Sequence, residues 1–164
     1  VKPDLEPIAV VSGFPAELRQ VFTNLLTNAA EASPRGESVE IRTRASSGID
    51  PSDPTAARRP GILITVEDRG PGVAPEIQRQ LFQPFFSTKG EAGTGLGLWV
   101  SKGIVEKHGG TIELASSTDP EQHGTIVSVF LPRGQAEWSD TSDSSGRHSG
   151  TAIKEAATQT PTLA

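Results

Sequence analysis

The chain has 164 residues, a formal net charge of −5 and no cysteine. A single domain of this size buries roughly two-thirds of its surface on folding. Disulfide frameworks, thiolate zinc sites and cysteine nucleophiles are therefore excluded, and none is needed for a core. The acidic balance, with no basic cluster longer than Arg58-Arg59, argues against a nucleic-acid partner. No apolar run approaches the ~18–20 residues that span a bilayer, and no leader pattern opens the chain, so a cytoplasmic module is expected. With Val1 first and no Met anywhere, the chain reads as a fragment of something longer.

In chain order, Ile8–Val11 suits a short strand. From Pro15 to about Ser33 the residues Leu18, Val21, Phe22, Leu25, Leu26 and Ala29 recur at helical spacing on one face. Pro15 fits a first helical turn, and Pro34 with Gly36 ends the helix. Val39–Thr43 alternates as a half-buried strand. Ala45–Gly61, with three prolines and Gly48, reads as a surface loop. Ile62–Val66 is a stronger strand, Pro75–Phe82 a short helix, and Gly95–His108 a helix closed by Gly109-Gly110. Thr111–Leu114 and Thr125–Leu131 complete the strands. Residues 133–164 hold only three large apolar side chains, Trp138, Ile153 and Leu163, and read as a disordered tail or linker after a domain over 1–132. The order β-α-β-β-α-α-β-β lacks βαβα alternation. It predicts an α+β, two-layer sandwich with helices on one face of a mixed, mostly antiparallel sheet.

Four places carry chemistry. Asn24 and Asn28, one turn apart, flank the apolar stripe of their helix, where an amide oxygen reaches a cleft and suits a hard cation such as Mg²⁺. Taken alone, such a pair also serves simply to cap or solvate a helix edge. Asp68 ends an apolar strand and is followed by Gly70 and Gly72, which places an acceptor beside closely approaching backbone, or else makes an ordinary turn. Gly93, Gly95 and Gly97 feed a helix N-terminus, a source of amide donors for phosphate. The spacing is neither a dinucleotide fingerprint, since Leu98 stands where the third glycine is needed, nor a P-loop. Thr125, after Gly124, opens the last strand.

In this order the blocks are far more specific than any one of them. From about Leu5 to Pro132 the sequence resembles the ATP-binding catalytic domain of bacterial sensor histidine kinases, within the Bergerat-fold ATPases. Asn24-Leu25-Leu26-Thr27-Asn28-Ala29 resembles the N box, and Asp68-Arg69-Gly70-Pro71-Gly72 the first glycine box. Leu81 to Lys89 is similar to the F box, Gly93-Thr94-Gly95-Leu96-Gly97-Leu98 to the second glycine box, and Gly124-Thr125 to the last.

The resemblance implies ATP and Mg²⁺ as cofactors, with Asn28 on the metal and Asn24 in support. It implies that Asp68 accepts a hydrogen bond from the adenine amine while Thr125 holds the same carboxylate and the ring through water. Gly70 and Gly72 then pass under the base. Gly93, Gly95 and Gly97 hinge a lid and offer amides to the phosphates, with Thr88, Thr94 and Leu96 beside them. Lys89 is the candidate lid cation; its alternative is a solvated lysine. Phe82, Phe85 and Phe86 anchor the lid base or pack in the core. Asn24 stands where hydrolysing branches of the superfamily carry a water-activating Glu, and an amide is no general base. Glu31 stands where some histidine kinases carry a phosphate-contacting Lys. None of His108, His123 and His148 lies in a phosphoacceptor pattern, and His108 reads as structural. The implied function is transfer of the ATP γ-phosphoryl group to a histidine of a separate dimerisation domain in two-component signalling. The implied partners are that domain of the same protein, a response regulator and, for the full-length protein, a second copy. The whole could form the cytoplasmic part of a membrane-anchored sensor. Trp99, which projects beside Lys102 and Glu106, is a candidate contact for the missing dimerisation helices or a neighbouring domain; its alternative is a ring that covers a local apolar edge. The alternative is a degenerate nucleotide-binding or assembly module without kinase activity.

Overall fold

A computed structural model describes residues 1–5, 11–49, 55, 57–88 and 93–133. The elements are β1 (Lys2–Leu5), α1 (Pro15–Ala32), β2 (Glu40–Gly48), β3 (Arg59–Asp68), α2 (Pro75–Gln78), α3 (Gly97–Lys107), β4 (Thr111–Ser117) and β5 (Gly124–Pro132). Among the described residues the strands form one five-stranded sheet in the order β1-β2-β3-β5-β4. Only the β1–β2 pairing is parallel; the other three are antiparallel.

The apolar stripe of α1 buries Val21, Leu25 and Ala29, one turn apart, and α3 adds Val105. These pack on Ile64 and Val66 of β3 and on Val129 and Leu131 of β5. Alternate residues of a strand share a face, so α1 and α3 cover a single face of the sheet. The expected two-layer α+β sandwich is what forms. Asp68 and Thr125 continue the same two rows, which places both on the helix-covered face at one end of the sheet.

Several expected boundaries move. The chain at Ala45–Gly48 and Arg59–Gly61 is strand rather than loop, with Ala45 opposite Ile62 and Gly48 opposite Arg59. The glycines there are packing positions: a Cβ at Gly48 or Gly61 would overlap the buried ring of Phe130. The first strand is Lys2–Leu5; residues 8–10 lie outside the described residues, and Val11 is not in a strand. The helix from Pro75 stops at Gln78 and gives way to single turns, with Gln80 and Gln83 donating to Ile77 and Gln80 three residues back. Helix α3 starts at Gly97 rather than Gly95, because Gly95 has φ +66°. At its other end Gly109 (φ +67°) donates to Glu106 and Gly110 to Val105, the reciprocal pair that closes a helix with a left-handed residue. The tail after residue 133 lies outside the described residues.

His108 ties the two long helices together. Its Nδ1–H donates to the Ile104 carbonyl at 2.7 Å, which leaves Nε2 to accept the Phe14 N–H at 3.0 Å just before α1 begins. The neutral ring thus caps one helix with the end of another, and Gly13 passes against its edge. The structural role expected for His108 is what the hydrogen bonds give it. Replacing it removes both bonds and strands the Phe14 N–H. We expect His108→Ala to lower the unfolding free energy by about 2 kcal/mol in urea titrations; a loss below about 0.5 kcal/mol would contradict the capping role.

Candidate functional site

A cavity of about 340 Å³ opens between α1, the β3 and β5 ends, and the segment that leads into α3. Its floor is apolar, with Val66, Val127 and Leu114 from three adjacent strands and Ala29 from α1. Its polar groups are Asn24, Thr27, Asn28 and Glu31 from α1, Asp68 and Thr125 from the sheet, and Ser87, Thr88 and Thr94 from the loops. An apolar slot with a few convergent polar groups is the usual form of a small-molecule site.

Asp68 is the group that costs most to bury. It is only 7% exposed, at the end of β3. Oδ1 accepts the Gly70 N–H at 2.8 Å and the Thr125 N–H at 3.2 Å. Burial pushes its carboxyl above the usual carboxylate value; those two backbone donors oppose the shift, and neighbouring Glu67 adds to it slightly. Among the described residues Oδ2 has no protein partner, so it keeps an acceptor for whatever enters the cavity.

The structure brings Asn24, Asn28, Asp68, Thr88, Gly93, Thr94, Gly95, Gly97 and Thr125 to this one cavity. Gly70, Gly72 and Leu96 are not on its wall. Gly70 instead donates to Asp68, and a Cβ there would press on the Ala32 carbonyl. Gly72, with φ +74°, runs so close to the Ser117 carbonyl that only hydrogen fits. Leu96 is the N-cap residue just before α3. Lys89 lies outside the described residues.

Two expected roles acquire a packing component. The Nδ2 of Asn24 donates to Ser101 Oγ at 3.0 Å, and a Cβ on Gly97 would overlap the Asn24 oxygen. Asn24 is therefore the pin between α1 and α3. Gly95 runs against the Phe85–Phe86 backbone, so it admits close chain approach as well as flexing. The three phenylalanines do not share one place. Phe86 lines the cavity, Phe82 lines a surface groove with Trp99, and Phe85 is 78% exposed with φ +65°. None is buried core.

Sequence reading missed the groups that hold the site from behind. Ser101 is a buried hydroxyl on the core side of α3. Ser116 Oγ accepts the Val73 N–H at 2.8 Å, and Gln78 Nε2 donates to the carbonyls of Val73 and Ser116 at 2.8 and 2.9 Å. His123 fixes the same loop from its other side, with Nδ1 donating to the Gly70 carbonyl at 2.7 Å. For Ser101 and Ser116 the only signal is a small polar residue at a core-facing position; Gln78 and His123 carry none.

This cavity is walled by one helix flank and three strands of a mixed sheet, and comparison with known proteins shows that the domain carrying it is of the ATPase class. Residues 13–135 match the family of histidine kinase-, DNA gyrase B- and HSP90-like ATPases, and the chain belongs to that family. Within it the chain is of the sensor-histidine-kinase type. It is similar to the mycobacterial sensor histidine kinase MprB, with 30% identity, a TM-score of 0.64 and 82% of each chain covered. It is also similar to the catalytic domain of histidine kinase ThkA, solved nucleotide-free, at 26% identity and a TM-score of 0.60, covering 80% of this chain and 76% of that one. Among full-length proteins, it is 35% identical over 127 residues to the sensor histidine kinase ZraS of Salmonella typhimurium, covering 77% of this chain. It is 40% identical over 134 residues to the C4-dicarboxylate transport sensor protein DctB of Rhizobium meliloti, covering 81% of this chain. The chain spans only 24% and 19% of those two relatives. An ATPase domain implies ATP binding. No helix among the described residues is long and apolar enough to cross a membrane.

The raised carboxyl of Asp68 makes a signed expectation. A carboxyl whose folded value exceeds its unfolded value stabilises the fold fully only below the unfolded value, and loses that contribution as pH rises through the folded one. Asp68→Asn keeps the Oδ1 acceptor and abolishes the titration. The melting temperature of Asp68→Asn relative to the natural chain is expected to rise between about pH 4 and about pH 7. A relative melting temperature that falls over that interval would contradict the burial argument.

Proposed function

We propose that this domain binds Mg·ATP in the cavity and passes the γ-phosphoryl group to a histidine on a separate dimerisation domain of the same full-length, homodimeric protein, from which a response regulator then receives it. The observation that carries this reading is one apolar cavity that combines a buried acceptor, Asp68, with the amide and hydroxyl side chains of Asn28, Thr88 and Thr94 on its wall. Phosphoryl transfer needs positioning and charge neutralisation more than covalent chemistry from the protein. The imidazole nitrogen of the acceptor forms the new P–N bond as the bond to the bridging oxygen of ADP breaks, and ADP leaves with that electron pair.

The donor set fits a magnesium ion held jointly with phosphates. Among the described residues no group of three or more His, Cys, Asp or Glu side chains could hold a metal by itself. The side-chain oxygen of Asn28 is a hard, neutral ligand, as Mg²⁺ uses when phosphates and waters complete its shell. Bound there, the ion supplies charge neutralisation to the phosphate oxygens. Glu31, on the same wall, stands where a phosphate-contacting lysine would add a cation, so the polyphosphate relies on the metal ion and, by the family resemblance, on Lys89. Asn24, with its amide held by Ser101, offers no base to activate water, which favours transfer over hydrolysis.

Trp99 is 48% exposed and lines a groove with Phe82, Pro84 and Lys102. We assign it to contact with the dimerisation domain; Trp99→Ala in the full-length protein is expected to lower phosphotransfer while leaving the melting temperature of the isolated domain unchanged. Equal phosphotransfer in the variant would remove that assignment.

With ATP labelled on the γ-phosphate, the chain alone is expected to acquire no phosphohistidine and to label an added dimerisation domain in the presence of Mg²⁺. Stoichiometric phosphohistidine on the chain alone, or steady multiple turnover of ATP without the acceptor, would overturn the proposal.

A further inference from the structure

A row of three polar side chains crosses the sheet behind and along the cavity. Asp68 on β3 is the ladder partner of Thr125 on β5, and Thr125 is in turn the partner of Ser116 on β4. Asp68 and Thr125 line the cavity, whereas Ser116 reaches it only through Thr125.

The Ser116 hydroxyl is a hub with no spare capacity. It lies 2.8 Å from the Val73 nitrogen, 2.7 Å from the Gly124 carbonyl oxygen and 2.8 Å from Thr125 Oγ1. A hydroxyl has one hydrogen to give and two lone pairs to receive with. The Val73 N–H can only donate, and the Gly124 carbonyl can only accept. One arrangement satisfies all three contacts: Ser116 donates to Gly124 and accepts from both Val73 and Thr125. The opposite sense at Thr125 would leave the lone pairs of Ser116 and Gly124 facing each other at 2.7 Å.

The single proton of Thr125 is thereby drawn away from the cavity, and its remaining lone pairs are what the cavity meets. Beside it stands Asp68, whose Oδ1 already receives two backbone N–H groups. Resting on the ATP-binding reading above, we infer that Ser116 is a specificity-determining positioning residue. By holding the Thr125 proton it makes this edge of the site accept only, which favours a base bearing an exocyclic amine over one bearing an oxo group at the same place. A carbonyl there would meet acceptors alone, and a buried acceptor without a donor is unfavourable.

The test compares ADP with IDP, in which the exocyclic amine becomes an oxo group and ring N1 changes from acceptor to N–H donor, by calorimetric titration of the natural chain and of variants in the presence of Mg²⁺. The natural chain is expected to prefer ADP. Ser116→Ala frees the Thr125 hydroxyl to turn and donate, and the preference is expected to narrow by about fivefold. Ser116→Thr keeps the hydroxyl and is expected to keep the preference. Loss of the Val73 contact weakens both nucleotides alike, so the ratio separates specificity from support. Equal weakening of ADP and IDP in Ser116→Ala, with the ratio unchanged, would overturn the inference. If that variant does not fold, Thr125→Val must narrow the ratio, and an unchanged ratio there overturns it as well. Natural chain that binds ADP without preference over IDP defeats this inference alone; natural chain that binds neither defeats the ATP reading itself and this inference with it.

Discussion

The pairing of β3 with β5 fixes where a charge is buried, and the rest of the site is arranged around that burial. Ladder register sets Asp68 opposite Thr125 on the face that α1 and α3 cover. A carboxylate in such a place is unfavourable unless hydrogen-bonded. The chain supplies two backbone donors to one oxygen, from the turn after β3 and from the start of β5. Both donors exist only because the backbone is tightly folded there. Gly70 lies under the Ala32 carbonyl, and Gly124, at φ +138°, lies against the Asp68 carbonyl. The glycines of these blocks thus build the cradle of the acceptor.

The opposite wall depends on how α1 meets α3. The two helices share the core through Val21, Leu25 and Val105, and their orientation is set by polar pins at both ends. Asn24 bonded to Ser101, with Gly97 admitting the contact, fixes the end near the cavity. His108 bonded to the Phe14 N–H fixes the far end. Asn28, one turn beyond Asn24, is carried to the cavity wall by the same docked helix. Packing and ligand geometry are coupled here, since a displacement of α3 moves the start of the glycine segment and Asn24 together.

Much of this was legible in the sequence, for reasons that particular residues make plain. Helix α1 announces itself by the spacing of Val21, Leu25 and Ala29, and strands β3 and β5 by their β-branched runs. The joint presence of Asn28, Asp68 and Thr125 in one cavity followed from the order of the blocks. What escaped was decided by tertiary contacts. Gly48, Pro60 and Gly61 look like loop residues until the Phe130 ring lies across the glycines. Strand β1 is an exposed, polar edge with no alternation, recognisable only by its parallel pairing with β2. Ser101, Ser116 and Gln78 act across tens of residues of chain, and nothing in their local pattern separates them from ordinary surface hydroxyls and amides.

We propose that the apolar cavity lined by both the buried acceptor Asp68 and the Asn28 amide is a single Mg·ATP site. The most direct measurement is calorimetric titration of the chain with a non-hydrolysable ATP analogue, with and without Mg²⁺. The account predicts saturable one-to-one binding that Mg²⁺ strengthens, because the ion held at Asn28 would neutralise phosphate charge. Absence of binding by a chain shown to be folded, or binding indifferent to Mg²⁺, would contradict it.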